Sequence, residues 1–346
     1  MNHINILKRA LNITINYRAL WIFGMLLALT TGSGSGNGGG GNGSSPNTDP
    51  NFNWQNPFGE FPQLSQELAN MWVSIAIGVA VLILVLILVG SIARYVSETA
   101  LIRMVDEHEN NGEQLTIRQG FRLGWSRAAW KMFLMDLLVG VSFVTIFILL
   151  LALAALPLLV WLTENTPLQV VGTIVSAGSI LLLVFAAIVA ALAVTLILIF
   201  ARRACVLENL GVRASLRRGY EMVRQRLGEM VMMGVMMFGI GLLWIIVTIP
   251  VILAIVVVAA LVGGIPALLA GSIAGFFTQG TTPWIVAAIV GAPIFLIAVI
   301  LPATLIGGWQ KVFSSSAWTL TYREALALEK INVNDELPPS DSLVEA

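Results

Sequence analysis

Long apolar runs broken by short, arginine-rich polar segments set the pattern of this chain. Uninterrupted runs cover Met71 to Ala93, Met132 to Leu162, Leu168 to Phe200, Met230 to about Leu261, and Trp284 to about Trp309. At about 1.5 Å of rise per residue, each is long enough as a helix to cross a hydrocarbon layer of about 30 Å. The run Ala19 to Thr30 is shorter and spans only by recruiting Tyr17 and the small residues beyond Thr31. The pattern therefore predicts an all-α polytopic membrane protein with six transmembrane helices, at about 17–34, 71–93, 132–162, 168–200, 230–262 and 284–310. The fourth exceeds a bilayer and is expected to tilt or project. Between the last two, 264–277 is apolar but short, with Gly271 and Gly275 at GxxxG spacing. It is expected to be a re-entrant or an interfacial segment. Runs this long and continuous do not suit a β-barrel, whose strands are short and alternating.

The polar segments repeat. Thr116-Ile-Arg118-Gln-Gly120-Phe121 through Arg127 leads into the run at Met132, and Ser215-Leu-Arg217-Arg218-Gly219-Tyr220 through Arg226 leads into the run at Met230. Each reads as a cationic amphipathic helix on the membrane surface, capped by its hydroxyl residue and turning into a span. Residues 1–18, with Lys8, Arg9 and Arg18, look like a degenerate third copy. A secretory signal peptide is the competing reading, but a structured lead-in of this length is long for an n-region. The Glu109-Asn-Asn-Gly112 stretch predicts a turn between two helices. Residues 31–70 begin as a Gly/Ser/Asn-rich stretch expected to be a flexible loop, followed by Phe52, Trp54, Phe58, Phe61 and Trp72, aromatics that suit an outer interface. Residues 1–331 read as one integral membrane domain, ending in an amphipathic helix over Ser314 to Ile331, and the acidic tail 332–346 reads as disordered.

Composition agrees: 57% of the 346 residues are hydrophobic and 11% charged, with a mean hydropathy of +0.87. Lys plus Arg equals Asp plus Glu at 19 each, which gives no case for nucleic-acid binding. Placement of the charges says more. On the six-span reading every Lys and Arg falls on one side, and the other side holds only Asp49, Glu60, Glu67 and Glu164. The positive-inside rule then puts both termini in the cytoplasm, whereas a seventh span through 264–277 would move Lys311, Arg323 and Lys330 outside. The one cysteine, Cys205, excludes an internal disulfide.

Enzyme constellations are missing from the sequence. Two histidines, no CxxC and no phosphate-cradling loop argue for a non-enzymatic protein without cofactor or metal. Met222, Met230, Met232, Met233, Met236 and Met237 could ligate Cu(I), yet no Cys or His accompanies them, and adaptable helix packing is the expected role. Asp136, one turn inside the third span, is the ionisable residue clearly within an apolar run, and is expected to reach the interface or pair with Lys131 or Arg127. Arg118, Arg127, Arg202, Arg203, Arg217, Arg218, Arg224 and Arg226 are candidates for binding anionic lipid or another anion, against a plain topological role.

The Arg202-Arg-Ala-Cys-Val-Leu-Glu208 segment, the Ser215 to Arg226 lead-in and the closing Trp318-Thr-Leu-Thr-Tyr322-Arg323-Glu324 resemble a broad group of uncharacterised bacterial inner-membrane proteins. These are similar to the membrane domain attached to some glycerophosphoryl diester phosphodiesterases. The resemblance implies a multi-pass bacterial inner-membrane location; the catalytic domain of those enzymes is not in this sequence, so their activity is not implied. The leading expectation is a protein whose cytoplasmic Arg-rich helices bind anionic lipid, a partner protein or a second copy of the chain. The alternative is a small-molecule or lipid transporter, with broken helices at Pro250, Pro293, Pro302 and 264–277. Against it, the deep polar residues are mainly Ser176, Ser179, Thr195, Thr248 and Thr304, which suit interhelical hydrogen bonds better than substrate.

Overall fold

A computed structural model describes residues 2–31, 66–163, 166–277 and 280–336. Nine α-helices make up nearly all of the described chain: α1 (His3–Asn16), α2 (Ala19–Thr31), α3 (Gln66–Asn111), α4 (Ile117–Gly124), α5 (Arg127–Ala155), α6 (Thr166–Leu207), α7 (Val212–Gln225), α8 (Leu227–Phe277) and α9 (Thr282–Glu336). A short 3₁₀ helix, Leu156–Leu162, follows α5, with Pro157 inside its first turn. No strand occurs among the described residues. Five helices are long and apolar enough to span a membrane, and a sixth span exists if α1 and α2, bent by 98° at their junction, count as one. The fold is therefore all-α and polytopic.

Residues 37–93 form a compact unit of their own. Within it the described stretch is helical, and Ile77, Leu84 and Ile87 are exposed along it, as lipid-facing side chains should be. Arg94–Asn111 of α3 belongs with the remaining helices.

Several sequence expectations are corrected. Residues 264–277 are neither re-entrant nor a separate interfacial helix, because α8 runs unbroken through them to Phe277 with Pro250 and Pro266 inside it. The turn that returns the chain comes after them, where Gly280 takes φ +82°. The small residues pack a hairpin instead: Gly291 closes on Ala267 and the Gly263 carbonyl, and a Cβ on Gly271 would lie 3.0 Å from that of Ala287. Helix also covers Gln66–Asn70 and 332–336, which the sequence assigned to loop and tail. The rest of the expected loop, 32–65, and of the tail, 337–346, lies outside the described residues. Of the first expected span, 17–34, the helix covers Ala19–Thr31, and α1 ahead of it is a separate helix bent by 98° from it.

The turn at Gly112 is as expected, with φ +69° ending α3. Thr116 then caps α4, and Gln119 Oε1 accepts from both its backbone N–H and its hydroxyl at 2.8 Å. The second lead-in departs from its copy: α7 starts four residues earlier, with Gly211 as N-cap, and Ser215 is a fully buried residue inside it.

The repeat extends further than the lead-ins. Helices α1, α4 and α7 carry Arg9, Arg118 and Arg217, and nine residues on, just past each helix, come Arg18, Arg127 and Arg226. Each sits just before an apolar helix, α2, α5 or α8. Each packs on the charged end of another long helix: α4 on α3, α7 on α6, and α1 on α9. Those three ends repeat in turn, with arginine and glutamate six residues apart at Arg103 and Glu109, Arg202 and Glu208, and Arg323 and Glu329. Three copies of one module, long helix end plus lead-in, thus build the core. It holds Ile6, Tyr17, Leu20, Phe23, Leu101, Met104, Phe200, Met222, Met230 and Tyr322. Asn2 N–H donates to Glu324 at 3.2 Å, so the start of α1 lies beside the far part of α9.

Two equivalent glycines test this packing. A Cβ on Gly219 would meet backbone of α6, Ala201 N and Ile197 O at 2.8 Å, whereas one on Gly120 would meet the Met104 thioether and the Phe23 ring, which can yield. Gly219→Ala is expected to cost about 1–3 kcal/mol and Gly120→Ala clearly less. Thermal unfolding of the two purified variants in one detergent checks the order.

Candidate functional site

The ionisable side chains gather at the charged end of the helices, around Arg202 on α6. Its Nη1 donates to Glu98 Oε1 at 3.0 Å, its Nη2 to Asp136 Oδ2 at 2.8 Å and its Nε to Asp136 Oδ1 at 3.2 Å. Tyr95 O–H donates to Asp136 Oδ2 at 3.2 Å. The three charged side chains are each under one-fifth exposed. The expected partners of Asp136 are thereby corrected. Lys131 Nζ instead donates to the carbonyls of Asn209 and Leu210 at 3.1 Å, and Arg127 faces outward. The planar guanidinium satisfies two carboxylates at once, which a lysine ammonium cannot do with the same geometry.

The three repeated helix ends are tied in sequence. Arg323 binds Asp106 and donates to Asn110 Oδ1, and the equivalent Arg103 donates to Asn209 Oδ1 at 3.2 Å. Between the ends of α6 and α9, Tyr322 O–H donates to Glu208, and Arg218 donates through both Nη groups to Glu329, at 2.9 and 2.6 Å. Arg218 lies on α7, outside the spans. The Glu329 hydrogen bond, with the charges of Glu329 and Glu208 behind it, holds its guanidinium above the ordinary value against the opposing effect of burial. Arg9 binds Glu109 and ties α1 to the end of α3. Arg202 breaks the pattern by turning toward Asp136, because its α5 neighbour offers a carboxylate where the other copies have none.

The candidate arginines therefore do not form one site. Arg202 and Arg218 are held by carboxylates. Arg203 is buried and donates to the Ile199 carbonyl at 2.6 Å and weakly to that of Ser315 at 3.4 Å. Arg217 is exposed and pairs with Glu221 one turn on, and Arg226 approaches Glu229 at 3.6 Å. Arg118, Arg127 and Arg224 are exposed. On α4 and the start of α5 the arginines 118, 122 and 127 share the surface with exposed Ile117, Phe121, Trp125 and Trp130. Methionines 222, 230 and 233 are core residues. Ser176 and Ser179 donate to the Ala154 carbonyl across the α5–α6 hairpin, and Thr304 to the Leu301 carbonyl in its own helix.

These contacts bring in residues the sequence reading passed over: Arg94, Glu98 and Lys311 beside the buried network, and Glu208, Tyr322 and Glu329 in the ties. The signal for two of them was present in the Arg-Glu spacing repeated three times.

A family model covers residues 11–317, which is most of the chain and includes all three lead-ins in whole or part. The chain belongs to DUF7544, a family of unknown function. The matched region ends at Ala317, before Tyr322, Arg323 and Glu329. No curated protein and no solved structure matches the chain.

Proposed function

We propose that this is a non-enzymatic, multi-pass bacterial inner-membrane protein with both termini in the cytoplasm, whose Arg-rich lead-in helices hold anionic phospholipid. The observation that carries the reading is the outer surface of α4 and the start of α5, where Arg118, Arg122 and Arg127 lie exposed among Ile117, Phe121, Trp125 and Trp130. Apolar and aromatic side chains beside arginine, directly ahead of a span, match what a headgroup layer accepts. The arginines that hold the core together face carboxylates, whereas these three have no carboxylate within ion-pair distance among the described residues. Three copies of the lead-in would present such a surface at several points of the cytoplasmic rim, organising lipid or a partner that follows it.

The test is native mass spectrometry of the full chain released from nanodiscs containing phosphatidylglycerol, comparing wild type with Arg118, Arg122 and Arg127 all changed to Gln. At about 1 kcal/mol per basic residue near the surface, the triple variant should hold the anionic lipid roughly 100-fold less tightly. Added salt should weaken the wild type toward the variant. Equal lipid retention by both proteins at low salt would sink the reading.

A further inference from the structure

A second cationic centre lies where the three repeated helix ends meet, and its charges do not balance. Four cations, Arg94 on α3, Arg202 and Arg203 on α6, and Lys311 on α9, surround two carboxylates, Glu98 and Asp136. Arg202 already engages both carboxylates. Glu98 lies in the field of all four cations, yet Arg94, Arg203 and Lys311 have no carboxylate within 4 Å among the described residues. The excess is two positive charges in a place where Arg203 is only 5% exposed.

Polar groups at the same place are left without partners. Among the described residues, Arg203 Nε and Arg94 Nε are buried and find no acceptor, and the buried hydroxyls of Ser97 and Ser315 make no hydrogen bond. Arg94 and Ser97 stand one turn apart on α3, Lys311 and Ser315 one turn apart on α9, and the Arg203 guanidinium reaches the Ser315 backbone from α6. A buried guanidinium with an unpaired N–H costs stability unless an acceptor joins it. Unpaired donors from three helices in a net positive field describe an anion site.

We infer that this centre binds one phosphate group, held by Arg94, Arg203 and Lys311 with the serine hydroxyls at 97 and 315 around it. Tetrahedral oxygens can accept from guanidinium, ammonium and hydroxyl donors arriving from three directions, which a planar carboxylate does less completely. Lys311 and Arg94 are half-buried and form the open side. They lie where the uncharged run ending at Gln310 gives way to the charged core, the level of a phospholipid headgroup. The phosphate can therefore come from an inner-leaflet lipid or from free phosphate. The site is separate from the exposed surface of α4, and each can fail without the other.

The experiment uses the full chain, delipidated in neutral detergent and titrated by native mass spectrometry, in one arm with inorganic phosphate and in the other with short-chain phosphatidylglycerol. The expected result is a saturable one-to-one adduct in at least one arm, and the arm that binds names the source. The adduct should survive Arg118→Gln with Arg122→Gln and Arg127→Gln, and weaken at least about tenfold in the R94Q/K311Q variant, which loses two charged donors. If that variant loses its monodisperse folded peak, K311Q alone, at a half-buried residue, serves with the same expectation. No one-to-one adduct in either arm with wild type, or an adduct of unchanged affinity in R94Q/K311Q or K311Q, overturns the proposal.

Discussion

Replacing Arg202 with methionine is expected to destabilise the protein by about 3–5 kcal/mol, the cost of removing one partner from a buried ion network. The effect is large because the loss is double: Glu98 and Asp136 both depend on this guanidinium, and without it two carboxylates are left together in a largely desolvated place. Tyr95 can still donate to Asp136, but Glu98 has no other hydrogen bond to a side chain among the described residues. The cost should be mostly recovered when the carboxylates are removed as well, in Arg202→Met with Glu98→Leu and Asp136→Leu, since apolar side chains of similar volume often replace a buried ion network without loss. Reversible unfolding of single, double and triple variants in mixed micelles gives the coupling energies directly. A single R202M that melts with the wild type would mean that the network is ornamental to stability.

Gly308→Leu is expected to detach α2 from α9, with a cost of about 3 kcal/mol or more, beyond the usual range for overpacking because backbone blocks every route of relief. Even the first added carbon would sit 2.7 Å from Met25 N and 3.0 Å from the Gly24 carbonyl carbon. From the other side, a Cβ on Gly24 would lie 2.5 Å from the Gly308 oxygen. The two helices therefore touch backbone to backbone, and α2 is the short span, only 13 residues long, that has the least of its own surface with which to find another seat. Gly140→Ala is the control: an added methyl there meets nothing within 4 Å, and relief of glycine's entropy cost predicts a gain of about 0.5–1 kcal/mol. A cysteine pair placed across α2 and α9 should cross-link in wild type and fail to do so in G308L. If G308L unfolds no earlier than wild type and still cross-links, the contact is not what holds α2.

The sequence could be read for everything that depends on one helix at a time. Hydrophobic run length gave the long apolar helices and the all-α class, and the Gly112 turn could be read from composition because only a left-handed residue fits there. Reading failed where a second helix decides the outcome. The 264–277 segment is too short to be a span by itself, but its glycines and alanines belong to a hairpin with α9, and the helix simply continues through Pro266. Ser215 was given a cap's role by analogy with Thr116, but α7 starts earlier because Gly211 adopts the extended cap conformation. Asp136 was paired with cations near it in sequence, while its real partner is 66 residues away on the adjacent helix. The arginine candidates form one set in the sequence because a sequence cannot say which of them meet glutamates two helices away, as Arg218 meets Glu329.

The seating of α1 against α9 has a consequence for how the protein is made. Asn2 and Glu324 touch, although they stand 322 positions apart in the chain. At a synthesis rate of about 5–20 residues per second, the first helix leaves the ribosome roughly 15–60 s before its partner exists. During that interval the short α2 has no Gly308 to lean on, and the apolar side of α1 stays uncovered. The core can close only after α9 has been synthesised, so α1 and α2 either rest on the bilayer surface or are held by insertion machinery until α9 arrives to release them.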